Sequence, residues 1–354
     1  MSDGSHPLVS IIVRSMDPPT LARALDSVSM QDYSAIEVVL VAACGPSHRP
    51  IDGSRYPFRL TFVESSVALP RPRAANAGLD AGHGEYITFL DHDDELLPGH
   101  VSGLARALAA RSDCGAAYCR FEVYEQEKLF ATAGHAFNRL TLHERSYIHH
   151  SALLFRRALL ATGVRYDTAL DIHDDWDFVL QLSENAKFVF VDQTTFRWHS
   201  DIGTSGGGGV GNFDPVKFGT QRDYVREKWA SVYQRHVERY NDNVERGMAA
   251  LQGGRYDEAE RYLGDALADA EDDADLLNSV AMIAYRRGEY GKARALIGRA
   301  VHERHTDARL WFNYGLALAS EHRDDDARKA FERVLSLSPG HAGAVQWLAR
   351  LPSR

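Results

Sequence analysis

Three segments in the C-terminal third of the chain keep a fixed distance. "GRYDEAERYLGDAL" starts at Gly254, "GEYGKARALIGRAV" at Gly288 and "HRDDDARKAFERVL" at His322, at intervals of 34 residues. Ala259, Ala293 and Ala327 hold the sixth position of each segment, where a small side chain lets two helices approach closely. From about residue 243 onward the apolar residues recur at helical spacing only, and Pro339 follows the last segment. An unrelated helical bundle would not keep such a period. Each unit must instead stack on the next to bury its apolar face, which gives an all-α solenoid with a concave side. The repeats are assigned to residues 236–354 and a separate domain to 1–235, in keeping with 354 residues at about 150 per domain.

Upstream the rhythm differs. "LVSIIV" (8–13), "IEVVLVA" (36–42), "FRLTFV" (58–63) and "EYITFL" (85–90) are β-branched, apolar runs bounded by polar residues. Helical spacing appears between them at 19–31, with Leu21, Leu25 and Val28, and in the Ala-rich stretch 72–82. Near-continuous apolar strands alternating with helices predict an α/β domain, a Rossmann-like and mostly parallel sheet with flanking helices. Strands are expected again at 115–124, 151–157 and 187–191, and a helix at 174–186. In such sheets ligands gather at the carboxyl ends of the strands.

The strand at 85–90 runs into "DHDDE", four acids within five positions. Capping of a following helix explains one or two of them. Asp91-x-Asp93 at a strand end also suits a hard divalent cation, which takes few carboxylates and completes its shell with phosphate oxygens. A second acidic group, "DDWDF", opens the helix at 174–186. The Gly-rich "GTSGGGG" (203–209) is not a phosphate-binding Walker loop, because no Gly-Lys-Ser/Thr follows. It reads either as a lid, with Thr204 and Ser205 binding diphosphate oxygens, or as a linker toward the helical half.

Taken in order, "VSIIV", "IEVVLV", "RAANAGL", "GEYITFLDHDD", "DDWDF" and "RWH" resemble the family 2 glycosyltransferases of GT-A fold, over about residues 7–230. The 34-residue period resembles the tetratricopeptide repeat. The first resemblance implies a nucleoside-diphosphate sugar as donor and a divalent metal, Mn²⁺ or Mg²⁺. Carried over by position, Asp91 would lie near the ribose and the metal, and Asp93 would be a metal ligand. His199 would be a further metal or phosphate ligand, with Arg73 and Asn76 near the nucleotide. Asp175 would be the base that takes the acceptor proton, with Asp174 and Asp177 as near alternatives, and one base acting in a direct displacement would invert the anomeric centre. The repeats would recruit a protein or glycan acceptor or another partner, or pair two copies in a homodimer. The alternative is a scaffold that carries a degenerate transferase domain.

Composition narrows the remaining classes. A net charge of −9 leaves no basic footprint for nucleic acid. Three cysteines with no Cys-x-x-Cys pair suit a reducing compartment. With no secretory pattern at 1–10 and no apolar run near the roughly 18 residues of a membrane span, the expectation is a cytoplasmic protein. The absence of Gly-x-Gly-x-x-Gly after the first strand argues against a dinucleotide oxidoreductase. "AACGPSH" after the second strand holds no acid to read a nucleotide base, so the sequence assigns none. "QTTFRW" has one residue too many for the Gln-x-x-Arg-Trp of processive synthases, which points to transfer of a single sugar.

Overall fold

The computed structural model describes residues 6–202 and 213–352. The chain forms two compact units, one of residues 1–135 and 141–230 and the other of 136–140 and 231–354. In the first, β1 (Val9–Ser15), β2 (Ile36–Ala42), β3 (Arg59–Val63) and β4 (Tyr86–Asp91) run parallel in the order β3-β2-β1-β4. Every residue of β1 and β2 is buried, which is why their sequences lack polar alternation. α1 (Leu21–Ser29) and α2 (Arg71–Ala81) lie close to the predicted spans. Gly78 of α2 faces β1 so closely that an added Cβ would stand 2.3 Å from Ile12 Cγ2, which explains a glycine inside this helix.

Beyond β4 the sheet is mixed, a departure from the mostly parallel expectation. The order continues β4-β8-β6-β9-β5, with β5 (Glu95–Leu96), β6 (Cys114–Glu125), β8 (Leu153–Arg156) and β9 (Lys187–His199). β8 is antiparallel to both β4 and β6, β9 is parallel to β6, and β7 (Lys128–Ala133) forms a hairpin with β6. β9 is longer than the expected 187–191 because its polar middle stays paired through shifts of register. α3 (His100–Ala110) packs on this half, α4 (Arg139–Glu144) is short, and α5 (Asp174–Asn185) carries the second acidic group. Cys44, Cys114 and Cys119 form no disulfide, and no helix among the described residues is long and apolar enough to cross a membrane.

α6 (Pro215–Gln252) leads into the second unit, where α7 (Tyr256–Leu267), α8 (Ala274–Arg286), α9 (Tyr290–Glu303), α10 (Ala308–Ser320), α11 (Asp324–Leu337) and α12 (Ala342–Arg350) follow. Gly254, Gly288 and His322 occupy the same left-handed turn before a helix, with φ of 71°, 78° and 58°. Two glycines and one tolerated histidine are what that backbone selects. Ala259, Ala293 and Ala327 are wholly buried, as their constant position predicts.

Candidate active site

A cavity of about 340 Å³ opens at the carboxyl ends of β1 and β4. Its lining includes the charged residues Arg14, Arg71, Asp91, Asp93 and Asp175 and the aromatic residues Phe121, Tyr147, Trp198 and Phe218. Arg14 and Asp91 are direct partners in the β1–β4 register. Arg14 Nη2 donates to Asp91 Oδ1 at 2.7 Å and Nη1 donates to Asp174 Oδ2 at 3.1 Å. His150 Nε2 lies 3.2 Å from Asp91 Oδ2 and its Nδ1 lies 3.1 Å from Tyr166 Oη. The same Nε2 also lies 3.3 Å from Arg14 Nη2, so His150, Arg14 and Asp91 meet at one point. Arg71, the first residue of α2, brings a further cation to 3.8 Å from Asp91.

These neighbours set the charge state of the acids. Burial pushes the Asp91 carboxyl up, but Arg14, then His150 and Arg71, outweigh it and hold it well below the usual carboxylate range. Asp93 is pushed up, first by burial and then by the Asp91 charge. Its carboxylate has no ion-pair partner among the described residues. An uncompensated carboxylate on the wall of a cavity fits a divalent cation. Asp94 is 1% exposed; its Oδ1 accepts from the His199 amide at 2.9 Å, and Oδ2 has no partner.

α5 starts after His173, whose φ of 63° turns the chain into the helix. The three acids of its first turn differ sharply. Asp174 is 1% exposed and tied to Arg14. Asp177 is wholly buried and accepts from Trp229 Nε1 at 2.8 Å and Lys228 Nζ at 3.0 Å. Asp175 lines the cavity, and its Oδ1 accepts only from the amide of Trp176, at 2.8 Å. Burial pushes its carboxyl up, but His150, His149 and Arg71 outweigh that and hold it below the ordinary value.

Asp91, Asp93, Asp174 and Asp175 are therefore brought to one cavity. His199 is placed elsewhere: it is 2% exposed, with Nε2 2.9 Å from Glu95 Oε1. Asn76 also turns away from the cavity, donating to Tyr166 O and accepting from Tyr166 N, both at 2.9 Å. Arg73 is exposed on α2, while Arg71 reaches the cavity. Thr204 and Ser205 lie outside the described residues. Sequence reasoning missed Arg14, Arg71, His149 and His150. A lone arginine ending a buried apolar strand was the signal for the first, and a His-His pair directly before a strand the signal for the last two.

Residues 10–163 match the Glycosyl transferase family 2 profile, and 244–306 and 284–342 match the tetratricopeptide repeat. The chain joins a family 2 glycosyltransferase domain to tetratricopeptide repeats. Similar proteins include WcaA of Escherichia coli (strain K12), 27% identical over 192 residues, which are 50% of this chain and 67% of that protein. YwdF of Bacillus subtilis (strain 168), an uncharacterized glycosyltransferase, is 24% identical over 188 residues, 50% of this chain and 68% of that one. The amylovoran biosynthesis glycosyltransferase AmsB of Erwinia amylovora is 25% identical over 201 residues, 51% of this chain and 65% of that one. The chain thus spans about two thirds of each of these relatives.

Proposed function

We propose that the family 2 domain moves one sugar from a nucleoside-diphosphate sugar to an acceptor hydroxyl, with inversion at the anomeric carbon. The observation that carries this reading is the separation of the three α5 acids. Asp174 and Asp177 are committed to protein cations, and Asp175 alone faces the cavity uncommitted. Its lowered pKa keeps it ionised near neutrality, so it can accept a proton there. The acceptor O–H gives its proton to Asp175 while the oxygen attacks the anomeric carbon. The bond from that carbon to the diphosphate oxygen breaks, and the nucleoside diphosphate leaves.

Asp93 would hold a divalent cation, Mn²⁺ or Mg²⁺, with Asp91 close by. When bound, that cation supplies Lewis-acid neutralisation of the charge that develops on the diphosphate. Arg71, 3.8 Å from Asp91, adds the chain's own positive charge there, and Trp198 and Phe218 give the cavity apolar lining. A relative named for amylovoran biosynthesis supports a glycan as acceptor. The repeats are proposed to recruit the acceptor or its carrier protein, with pairing of two copies as the competing role; light scattering of the full chain separates the two.

The test is a thermal-shift screen of UDP, GDP and dTDP with and without Mn²⁺, followed by release of nucleoside diphosphate from the matching sugar nucleotides. Metal-dependent stabilisation by one diphosphate is expected, about 2.7 kcal/mol at a hundredfold excess over Kd. A scaffold with a degenerate domain would show none.

A further inference from the structure

Arg14 joins two segments that are far apart in sequence and that the reaction needs in register. Its partners lie 77 and 160 residues away. Asp91 belongs to the turn that carries Asp93, and Asp174 belongs to the first turn of α5, immediately before Asp175. The guanidinium is 4% exposed and Asp174 1%, so water screens that pair little, while Asp91, 21% exposed, faces the cavity. Its planar fork gives each carboxylate its own nitrogen. The Tyr166 ring lies 5.9 Å from the guanidinium, and Asn76 braces the Tyr166 backbone. The guanidinium is thus contacted by Asp91, Asp174, His150 and the Tyr166 ring.

We propose that Arg14 is a positioning residue, a two-armed clamp that fixes the base-bearing end of α5 against the acidic turn after β4 and keeps Asp91 from binding cation on its own. Two consequences follow from the two arms. Cutting the α5 arm frees the helix end and misaims Asp175, while the acidic turn is unchanged. Removing the guanidinium leaves Asp91 uncompensated beside Asp93, so the corner holds a divalent cation more tightly although the base is misplaced.

The clamp rests on Asp175 as the base, so Asp175→Asn is the control. Three quantities are measured on the full chain: Mn²⁺ affinity of the protein alone by electron paramagnetic resonance, the melting temperature, and kcat and donor KM. The donor is the best of a panel of UDP-, GDP- and dTDP-sugars. Asp174→Asn, which keeps the side-chain shape, is expected to lower kcat by about 10- to 100-fold, with donor KM within about threefold, because a small misplacement of a reacting group costs this much. Its Mn²⁺ affinity should match the parent. Arg14→Gln is expected to bind Mn²⁺ about tenfold more tightly while kcat falls. Arg14→Lys restores the charge without the fork, so its Mn²⁺ affinity returns toward the parent and kcat recovers only in part.

Mn²⁺ affinity of Arg14→Gln equal to or below the parent, or an Asp174→Asn enzyme with parental kcat, overturns the clamp. If Arg14→Gln does not fold, Asp174→Asn decides. Full turnover in Asp175→Asn sinks the base assignment instead, whereas a dead Asp175→Asn beside a healthy Asp174→Asn removes the clamp alone.

Discussion

The two units place their charges in opposite ways. In the transferase unit, Arg14, Asp94, His150, Asp174 and Asp177 are at most 4% exposed. In the repeats the ion pairs run across the surface from one repeat to the next: Arg287 to Asp257 and Glu260, Arg294 to Glu321, and Arg309 to Asp275. The buried polar residues of that unit, among those described, are His236, Asp269 and Asn278. Surface pairs contribute little to stability, and the solenoid is held by alanine and larger apolar side chains. Buried charges are costly unless paired, and Arg14, His150 and Asp174 pair beside the cavity that Asp91, Asp93 and Asp175 line.

The sharpest way to break that contrast is to remove one charge from each role. Asp175→Asn should lower kcat by about 10³-fold, within the range for loss of a general base, and leave the melting of both units unchanged. A loss of stability instead would make Asp175 a structural acid like Asp177. In the repeats the large effects should come from apolar groups. Phe331 is wholly buried and packs against Gly315. Phe331→Ala should cost about 3 kcal/mol in denaturant titration, with donor KM unmoved. A shift in donor KM would show that the repeats contribute to the donor site.

A third prediction uses acid. His100 is 1% exposed against Thr195, and burial holds its pKa down from 6.5 to about 4. Below pH 6.5 the unfolded chain binds a proton there that the folded chain refuses, so stability falls with pH across the window from 6.5 to about 4. Between pH 7 and 5 this one residue should remove about 2 kcal/mol, and His100→Leu should flatten the profile by that amount. Equal slopes for the two proteins in urea titrations would show that His100 titrates normally in the folded state.

What the sequence made legible follows the same division. Repetition exposes the solenoid, because a left-handed turn recurring at Gly254, Gly288 and His322 can only be read as a period. β2 is predicted at its observed bounds because both of its faces are buried and every residue of the run but Glu37 is apolar. The direction of β8 was not legible, since an apolar strand looks the same run either way. α3 went unread because "HVSGLARALAA" follows the acidic turn with a glycine inside it. At the site, Asp93 and Asp175 could be found because acids cluster beside them in sequence. Arg14 could not, because its meaning lies in partners 77 and 160 residues distant.

The smallest predicted effect separates brace from ligand within the transferase unit. The family pattern puts Asn76 near the nucleotide, but its amide closes two hydrogen bonds on the Tyr166 backbone at 2.9 Å each. Asn76→Ala would leave that N–H and C=O without their partner in a half-buried place, at a cost of about 1 kcal/mol. Asn76→Asp keeps the acceptor for Tyr166 N–H and loses the donor to Tyr166 C=O, so it should also fall below the parent in stability. In both variants donor KM should stay within about twofold, since a brace acts on the fold and not on the bound nucleotide. A tenfold rise in donor KM at parental stability would reverse the assignment: Asn76 would then leave Tyr166 to meet the nucleotide, and the rigid floor beneath Arg14 would have to be built by Phe178, which stacks on the Tyr166 ring at 4.2 Å.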